Sequence, residues 1–337
     1  MKVYSFKESP IKVFGVPFFD EKKVMERLPL ELRKQIPNLA FLGRRTPGSR
    51  VCFRTNTKKL IVKITLETLT FDMGMSIFGC QAACIVVGDR RHGEILELVY
   101  PENYTTKVFS KTFNLNGNMD DITIFLPRNE VISDVEISVD DNAVVEEPTP
   151  YKYQKPVVFY GSSITEGGCC CNVVNAYTTI LSNRLNFDFI NMGFSGSAKG
   201  ELEMADYINK LDMSVFVYDY DHNAPTVEHL ALTHEPFFKR IRSVHPEVPV
   251  IMMTRPAAVY NDEFRARMEV VKTTYNNAVA SGDKNVYFID GEKFFGDVDR
   301  HACAVDTVHP NDLGFYRMAN VIEPVLKEVL ESIDTVE

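Results

Sequence analysis

Residues 157–165 read Val157-Val158-Phe159-Tyr160-Gly161-Ser162-Ser163-Ile164-Thr165, an apolar run with strand character that stops at a glycine and two serines before a helical pattern begins. Such a turn presents Ser163 beside the unpaired backbone N–H groups of a helix N-terminus, which favour developing negative charge. Near the other end of the chain, Asp306 and His309 place a carboxylate and an imidazole three residues apart. The three side chains together supply a nucleophile, a base and an orienting group for acyl transfer.

Each of the two serines has an alternative role. Serine is a favoured N-cap residue, so Ser163 is also a candidate for capping the helix that follows. Ser162 competes with Ser163 for the role of nucleophile. The Asp306–His309 pair favours a catalytic turn, in which we take Ser163 as the nucleophile.

Composition and charge limit the classes of protein to which the chain can belong. The chain has 337 residues, of which 45% are hydrophobic and 25% charged. This is an ordinary globular balance that can fill a sizeable core in two domains or one large one. The net charge of −9 and the pI of about 5.4 argue against a nucleic-acid binder and against adhesion to anionic membranes, since both require a basic face.

The sequence carries no sign of export or of a membrane span. No apolar run approaches the roughly 18 residues that a transmembrane helix needs. The first residues, 1–8, are charged and lack the apolar segment of a signal peptide. Seven cysteines are present and three are consecutive, Cys169, Cys170 and Cys171. Adjacent cysteines bridge poorly and rarely share one metal ion, so we expect them to pack in a reducing, cytoplasmic protein.

The first 150 residues have the pattern of an all-β domain. Short runs rich in β-forming residues recur between turns, and residues 60–66 partly alternate between apolar and polar, as a half-buried strand does. One early segment, Glu21 to Gln35, is predicted to be helical. The spacing predicts a β-sandwich or jelly-roll domain over residues 1–150. Its predicted strands are Ser49 to Phe53, Leu60 to Thr68, Gln81 to Val87, Ile95 to Val99, Asp121 to Leu126 and Asp134 to Val139.

The second part of the chain, residues 151–337, alternates strands with helices. A segment rich in proline and acidic residues, Glu146 to Tyr151, is the predicted linker. Five strands with intervening helices predict a doubly wound, flavodoxin-like parallel sheet, with a last helix from about Asn311 to Ser332. The predicted strands are Val157 to Tyr160, Phe187 to Asn191, Ser214 to Tyr218, Pro249 to Thr254 and Val286 to Asp290.

Polar residues follow every one of these five strands. In an open α/β sheet, ligands bind beyond the carboxyl ends of the strands, so we expect these residues to converge on one rim. In strand order they are Ser163, residues 193–196, residues 219–223, Arg255, and finally Asp306 with His309.

At this point the chain resembles the SGNH hydrolase superfamily, also called the GDSL lipase/acylhydrolase family. The family is marked by a serine block, a glycine, an asparagine and an Asp-x-x-His block in a fixed order. The N-terminal region is similar to the accessory β domain of a bacterial subgroup, with Val51-Cys52-Phe53-Arg54-Thr55-Asn56 resembling a strand motif there. The four catalytic blocks correspond to Gly161-Ser162-Ser163-Ile164-Thr165, Asn191-Met192-Gly193-Phe194-Ser195-Gly196, Asp221-His222-Asn223 and Asp306-Thr307-Val308-His309-Pro310.

The resemblance implies a role for each matching residue. Ser163 would be the nucleophile, His309 the general base and then acid, and Asp306 the group that orients the imidazole. The oxyanion hole would use the N–H groups of Ser163 and Gly196 and the side-chain amide of Asn223. The backbone N–H of Gly193 is the alternative to that of Gly196 as an oxyanion-hole donor.

The sequence departs from the family pattern at two positions, and it offers three further candidate site residues. Ser162 stands where the family commonly has aspartate, and the third block lacks the glycine usual before the asparagine. Arg255 is a candidate for the substrate pocket or for a plain ion pair. His222 and Glu201 are candidate substrate contacts, with ordinary polar loop residues as the alternative.

The sequence and the resemblance together predict a serine esterase that needs no metal or other cofactor. The implied substrate is a small ester with a short acyl group on a carbohydrate-like alcohol. Two rival hypotheses are a catalytically silent binding protein for a glycan or a partner, and an acyltransferase that uses the same residues. Assembly into homo-oligomers is left open.

Overall fold

The computed structural model describes residues 1–72 and 74–334. Its strands build three sheets, two antiparallel in the N-terminal half and one parallel in the C-terminal half. The strands are β1 (Lys2–Ser5), β2 (Lys12–Phe14), β3 (Arg50–Thr55), β4 (Lys59–Leu66), β5 (Ala83–Val87), β6 (Glu94–Val99), β7 (Val108–Asn114), β8 (Asp120–Phe125), β9 (Ile132–Val139), β10 (Val145–Glu146), β11 (Tyr153–Gly161), β12 (Phe187–Gly193), β13 (Val215–Asp219), β14 (Val250–Met253) and β15 (Val286–Ile289).

The helices are concentrated in the second half of the chain, where they connect successive parallel strands. Short 3₁₀ turns supplement them, including Tyr220–His222 directly after β13. The helices are α1 (Phe19–Lys22), α2 (Leu30–Gln35), α3 (Ile77–Cys80), α4 (Ser163–Glu166), α5 (Tyr177–Leu185), α6 (Leu202–Ile208), α7 (Val227–Val244), α8 (Asp262–Ala280) and α9 (Asp312–Asp334).

The N-terminal sheets form the predicted β-sandwich. One sheet has the order β1-β9-β4-β7, and the other runs β10-β3-β8-β5-β6 with β2 added beside β3. In β4, Leu60, Val62, Ile64 and Leu66 are buried while the residues between them are not, so one face of the strand lies on the core. Side chains from both sheets share that apolar core, which is what holds the two layers together.

Two local predictions in this half need correction. The helix predicted from Glu21 to Gln35 is wrong in its middle, because the chain forms only α1 and α2 with irregular backbone between them. Pro29 stands directly before α2 in an extended conformation, and proline disfavours helical geometry in the residue that precedes it. Strands β1, β2, β7 and β10 were not predicted, although β7 buries Phe109 and Phe113 on one face.

The parallel sheet confirms the predicted flavodoxin-like fold. Its order is β12-β11-β13-β14-β15, so the first strand in sequence lies second in the sheet and the winding reverses there. Strand β11 sends Val158 and Tyr160 to the core on one face and Val157 and Phe159 to the core on the other. Helices α5 and α9 cover the second face, and α6 and α7 cover the first. The apolar run is continuous because both faces of the strand are buried.

The two halves are joined by buried contacts. Leu28, Leu32, Ile36 and Leu39, from the N-terminal half, lie in the same apolar core as the parallel sheet. The predicted linker ends at a buried residue, Tyr151, with the Arg90 guanidinium 3.7 Å from its ring centroid. We keep the division at residue 150 as a proposal for two domains that share an extensive interface.

No helix within residues 1–72 and 74–334 combines the length and the apolar character needed to span a membrane.

Candidate active site

The turn after β11 separates the roles of its two serines. Ser162 caps α4, because its hydroxyl oxygen accepts a hydrogen bond from the N–H of Ile164 at 3.1 Å. Ser163 is the first residue of that helix, and its hydroxyl lies 2.9 Å from Nε2 of His309. Gly161 is required before them, since a Cβ at that position would overlap the Asp219 carboxylate. The geometry therefore aligns Ser163, and not Ser162, with the imidazole.

A continuous hydrogen-bond chain runs from Ser163 to Asp306. Nδ1 of His309 lies 2.7 Å from Oδ2 of Asp306. The other carboxylate oxygen of Asp306 accepts the backbone N–H groups of His309 at 2.6 Å and Val308 at 2.7 Å. Partial burial acts to raise the pKa of Asp306, but the hydrogen bonds from the His309 ring and from the two N–H groups outweigh it and hold that pKa below its usual value. The carboxylate is thus kept ionised beside the imidazole.

The loop that carries Asp306 and His309 is fixed at its base. Ala304 and Pro310 pair as an isolated antiparallel bridge. The N–H of Val305 donates to the carbonyl of His309 at 3.0 Å, and the Asn311 side chain donates to the carbonyl of Ala302 at 2.8 Å. The loop therefore closes on itself directly before α9, and residues far apart in sequence meet at the rim of the sheet.

Ser163, Gly196 and Asn223, the three candidate oxyanion donors, each keep an N–H without a hydrogen-bond partner among the described residues. The N–H groups of Ser163 and Gly196 donate to no other described residue. Gly196 has a φ of +65° and is exposed, with open space where a Cβ would stand. Asn223 directs one N–H of its amide to the carbonyl of Phe194 at 2.8 Å, which leaves the other N–H to donate elsewhere. The N–H of Gly193, the alternative donor, is already given to Oδ1 of Asn191 at 2.9 Å.

Glu166 holds the loop that carries Gly196, a role that the sequence did not reveal. It is 1% exposed and ends the four-residue helix that begins at Ser163. One of its carboxylate oxygens accepts both the N–H of Ser195, at 2.8 Å, and the Ser195 hydroxyl. The turn that carries Ser163 and the Ser195–Gly196 turn are therefore joined through one buried side chain.

Two arginines of the N-terminal half support the loop that follows β12 and carries Gly196. Arg27 is fully buried and donates to the carbonyls of Asn191 at 2.7 Å and Gly193 at 2.8 Å. Its guanidinium also lies 4.5 Å from the ring centroid of Phe194. Nη1 of Arg45 lies 3.7 Å from the Glu166 carboxylate. No local motif marks these arginines, because their function follows from contacts with residues more than one hundred positions away.

His222 and Arg255 lie together next to His309. Nη1 of Arg255 donates to Nδ1 of His222 at 2.9 Å, and the rings of His222 and His309 meet edge to face with centroids 5.8 Å apart. Burial, followed by the positive charge of Arg255, lowers the pKa of His222 to about 4. A neutral ring whose Nδ1 accepts a hydrogen bond carries its proton on Nε2. Arg255 is itself buried behind the histidine, and its backbone N–H donates to the Asp221 carboxylate.

Glu201 contacts a different part of the rim. Its carboxylate accepts the N–H of Lys199 at 3.2 Å and the hydroxyl of Tyr160 at 3.4 Å. No hydrogen bond or ion pair links it to Ser163 or His309 in the described part of the chain. The sequence candidate therefore lies on its own loop, bonded to neighbouring groups.

The three consecutive cysteines follow α4, the short helix that begins at Ser163. Cys170 is buried, and burial raises its pKa to about 12, while burial raises that of Cys169 to about 11. Such thiols remain protonated and act as packing groups. Within residues 1–72 and 74–334, no three His, Cys, Asp or Glu side chains are arranged to hold a metal ion.

Two family models together match nearly the whole chain. Residues 154–327 match the GDSL-like lipase/acylhydrolase family, and residues 1–145 match the N-terminal domain of SGNH-hydrolase-type esterases. The first match spans the parallel sheet with the Ser163, Asp306 and His309 segments, and the second spans the β-sandwich. No curated protein sequence gave a significant match.

Solved structures with the same fold cover most of the chain at low sequence identity. A structure described as a GDSL-like lipase from Bacteroides ovatus is 22% identical, covers 98% of each chain and superposes with a TM-score of 0.87. The salicylyl-acyltransferase SsfX3 from a tetracycline biosynthetic pathway is 16% identical over 97% of each chain, with a TM-score of 0.80. A family two carbohydrate esterase from Clostridium thermocellum in complex with cellohexaose is 17% identical, covers 85% of this chain and 93% of its own, and has a TM-score of 0.62.

Proposed function

The chain belongs to the GDSL-like lipase/acylhydrolase family and is an ester-hydrolysing enzyme, and from this premise we propose that it is a serine esterase with Ser163 as nucleophile. The single observation that carries the assignment is the hydrogen-bond chain from the Ser163 hydroxyl through His309 to Asp306. It couples a nucleophile to a base and the base to an orienting carboxylate.

The first half of the reaction makes an acyl-enzyme. Nε2 of His309 takes the proton of Ser163 as the serine oxygen bonds to the ester carbonyl carbon, and the carbonyl π electrons move to its oxygen. When the tetrahedral intermediate collapses, the C–O bond to the alcohol breaks and His309 gives its proton to the departing oxygen. The ionised Asp306 stabilises the imidazolium while it exists.

The second half releases the acid by the reverse use of the same groups. His309 removes a proton from water, and the hydroxide oxygen bonds to the acyl carbon. Collapse of this second intermediate breaks the bond to the Ser163 oxygen, which regains a proton from His309. No residue is consumed in the cycle.

The oxyanion formed in each half is stabilised by three donors. We assign these to the free N–H groups of Ser163 and Gly196 and to the free amide N–H of Asn223. Their support is local, because Asn223 is oriented by Phe194 and the Gly196 turn by Glu166. Donors fixed in advance need no reorganisation when the charge develops.

The substrate class that we propose is a short-chain ester of a carbohydrate, such as an acetylated sugar. The fold shared with a carbohydrate esterase that binds cellohexaose motivates this choice. His222 offers its Nε2–H beside His309, as a donor suited to an alcohol oxygen or a sugar hydroxyl. Arg255 is placed behind it as the group that fixes the ring.

Acyl transfer to an alcohol is the second candidate function, since the acyltransferase SsfX3 shares the fold over nearly the full chain. The two functions differ only in the acceptor that attacks the acyl-enzyme. Product analysis with an ester in the presence of competing sugar alcohols separates them: free acid indicates hydrolysis, and a new ester indicates transfer.

The assignment of the nucleophile is tested with p-nitrophenyl esters from acetate to decanoate. We expect the highest kcat/KM with acetate, and a loss in kcat of about 10⁴-fold or more in Ser163→Ala, as for other triad nucleophiles. Ser162→Ala is the matched control, because it removes the cap and about 1 kcal/mol of stability but leaves the nucleophile in place. Near-native rates in purified Ser163→Ala would disprove the assignment. Activity lost to a chelator and restored by a metal would disprove the metal-free mechanism.

A further inference from the structure

Two loops of the β-sandwich expose a group of aromatic side chains, here called the aromatic patch: Phe71, Phe78, Tyr100 and Tyr104. The segment between β4 and β5 carries the two phenylalanines, with Phe78 in the short helix α3, and the loop between β6 and β7 carries the two tyrosines. Phe71 meets Tyr104 with ring centroids 5.4 Å apart, and Phe78 meets Tyr100 at 4.8 Å, both edge to face. The two loops are therefore joined by two aromatic pairs.

These rings are open to solvent to an unusual degree. Phe71 is 70% exposed, and the other three are between 40% and 47% exposed. Among the described residues, six aromatic side chains are markedly exposed, and four of them belong to this patch. Exposed aromatic side chains grouped on neighbouring segments suit a binding surface better than a structural core.

The segment that carries Phe71 and Phe78 contacts the residues that follow Ser163. The N–H of Gly168 donates to the carbonyl of Ser163 at 2.7 Å, and Cys169 and Cys170 follow directly. A Cβ built on Gly74 would lie 3.7 Å from the Cys169 sulfur, and one built on Gly79 would overlap the Cys170 carbonyl. The loop that holds both phenylalanines thus contacts the segment that leads away from Ser163.

A carboxylate lies beside the aromatic patch, near the cysteine segment that follows Ser163. Asp72 follows Phe71 directly, is only partly buried, and accepts the N–H of Gly74 at 3.1 Å. A Cβ built on Gly74 would lie 3.6 Å from Oδ1 of Asp72 and 3.7 Å from the Cys169 sulfur, so the carboxylate and the thiol flank the same residue. An acceptor with two oxygens beside exposed rings suits a ligand that combines hydroxyl groups with apolar C–H faces.

We propose that the aromatic patch, with Asp72, is a subsite for the sugar rings of a glycan whose ester group lies at Ser163. The inference rests on the proposed esterase function and extends it to the length of the substrate. The axial C–H groups of a pyranose carry slight positive charge and pack against the negative face of an aromatic ring. Phenylalanine and tyrosine lose little conformational entropy on binding because each has two side-chain torsions. The β-sandwich thereby supplies part of the substrate site.

The test compares a long and a short substrate in the double variant Phe71→Ala/Tyr104→Ala. We expect kcat/KM for an acetylated xylo-oligosaccharide to fall by about tenfold or more, mainly through KM, as expected for two lost ring contacts. The rate with p-nitrophenyl acetate is expected to stay within about twofold, because that ester is too small to reach the patch. Leu232→Ala, which removes a side chain that is 76% exposed on α7, is the control and should change neither rate.

Several outcomes would overturn the subsite. The subsite proposal would be disproved if the double variant hydrolysed the oligosaccharide with the kcat/KM of the wild type. It would also be disproved if kcat/KM fell equally for both substrates, because that result indicates a structural role. A wild-type dimer that dissociates in the double variant, with unchanged kinetics, would assign the patch to self-association instead. Failure of the esterase proposal is visible separately, as p-nitrophenyl acetate activity that persists in Ser163→Ala.

Discussion

At the scale of single residues, adjacent side chains of the same type have different functions. Ser162 and Ser163 differ by one position, yet the first caps a helix and the second meets an imidazole. The sequence favoured Ser163 through the motif, and the geometry agrees because a cap side chain turns back toward its own helix. Gly193 and Gly196 also differ, in their backbone: the N–H of Gly193 is already hydrogen-bonded, and only the N–H of Gly196 is free.

Asn223→Ala removes the side-chain donor of the proposed oxyanion hole. We expect kcat for p-nitrophenyl acetate to fall by about 10²–10³-fold with little change in KM, as for other lost oxyanion donors. The Phe194 carbonyl also loses its partner, so circular dichroism and thermal unfolding of the variant serve as the control for folding. A kcat within threefold of wild type would exclude Asn223 from the hole.

Arg255→Gln tests how the His222 ring is kept neutral. Burial is the largest cause of its low pKa of about 4, and the Arg255 charge is the second. Removing that positive charge makes the protonated ring less unfavourable, so the pKa must rise while a neutral donor to Nδ1 is retained. Imidazole ¹⁵N NMR across pH 3 to 8 measures the change. A midpoint that stays near 4 would show that Arg255 has no electrostatic effect on the ring.

At the scale of elements, strand β12 and helix α4 are positioned by close backbone approach. A Cβ on Gly193 would overlap the backbone of Thr165 and Glu166, so the strand end and the helix pack directly on each other. This approach brings the Glu166 carboxylate to Ser195, at the start of the turn that carries Gly196. The Ser195–Gly196 turn is therefore positioned by packing between two elements, and the sequence motif alone does not show that packing.

Glu166→Gln tests this support. A glutamine has one acceptor oxygen and must turn an NH₂ group toward either Ser195 or Arg45, so the turn loses part of its fixation. We expect kcat to fall by about tenfold, less than for a lost donor, with KM nearly unchanged. Glu201→Gln is the matched control on the same rim, and its rate should stay within about twofold. Equal effects of the two substitutions would contradict the positioning role of Glu166.

At the scale of the whole molecule, the N-terminal half contributes hydrogen bonds and core side chains to the half that contains the candidate active site. Arg27 satisfies two carbonyls at the end of β12, and Leu28, Leu32, Ile36 and Leu39 fill the core beside the sheet. A catalytic half without these residues would expose apolar surface and leave buried carbonyls unpaired. The two halves are therefore expected to unfold together.

Leu39→Ala tests this coupling, because Leu39 is fully buried and comes from the N-terminal half. We expect the free energy of unfolding to fall by about 2–5 kcal/mol. Hydrogen exchange with mass spectrometry in urea should show peptides from β4 and β13 losing protection at the same, lowered concentration. Protection of β13 that persists after β4 has opened would show that the halves fold independently.

The sequence by itself determined the class of fold and the chemical groups of the candidate site. Alternation of period two, runs buried on both faces and helical spacing are local properties, so the sandwich and the parallel sheet follow from them. The serine and the Asp-x-x-His blocks are local as well, and they named the three groups that the structure brings together.

Only the tertiary structure decided which neighbours support those groups. Arg27, Arg45 and Glu166 support the end of β12 and the Ser195–Gly196 turn, and the segment that carries Phe71 and Phe78 contacts the residues after Ser163, in each case through contacts between segments far apart in the chain. Such contacts depend on how whole elements pack, and no local pattern encodes the distance between them. The reactive groups could therefore be predicted from the residues. Their positions, and the extent of the site beyond them, depend on how the elements pack in the fold.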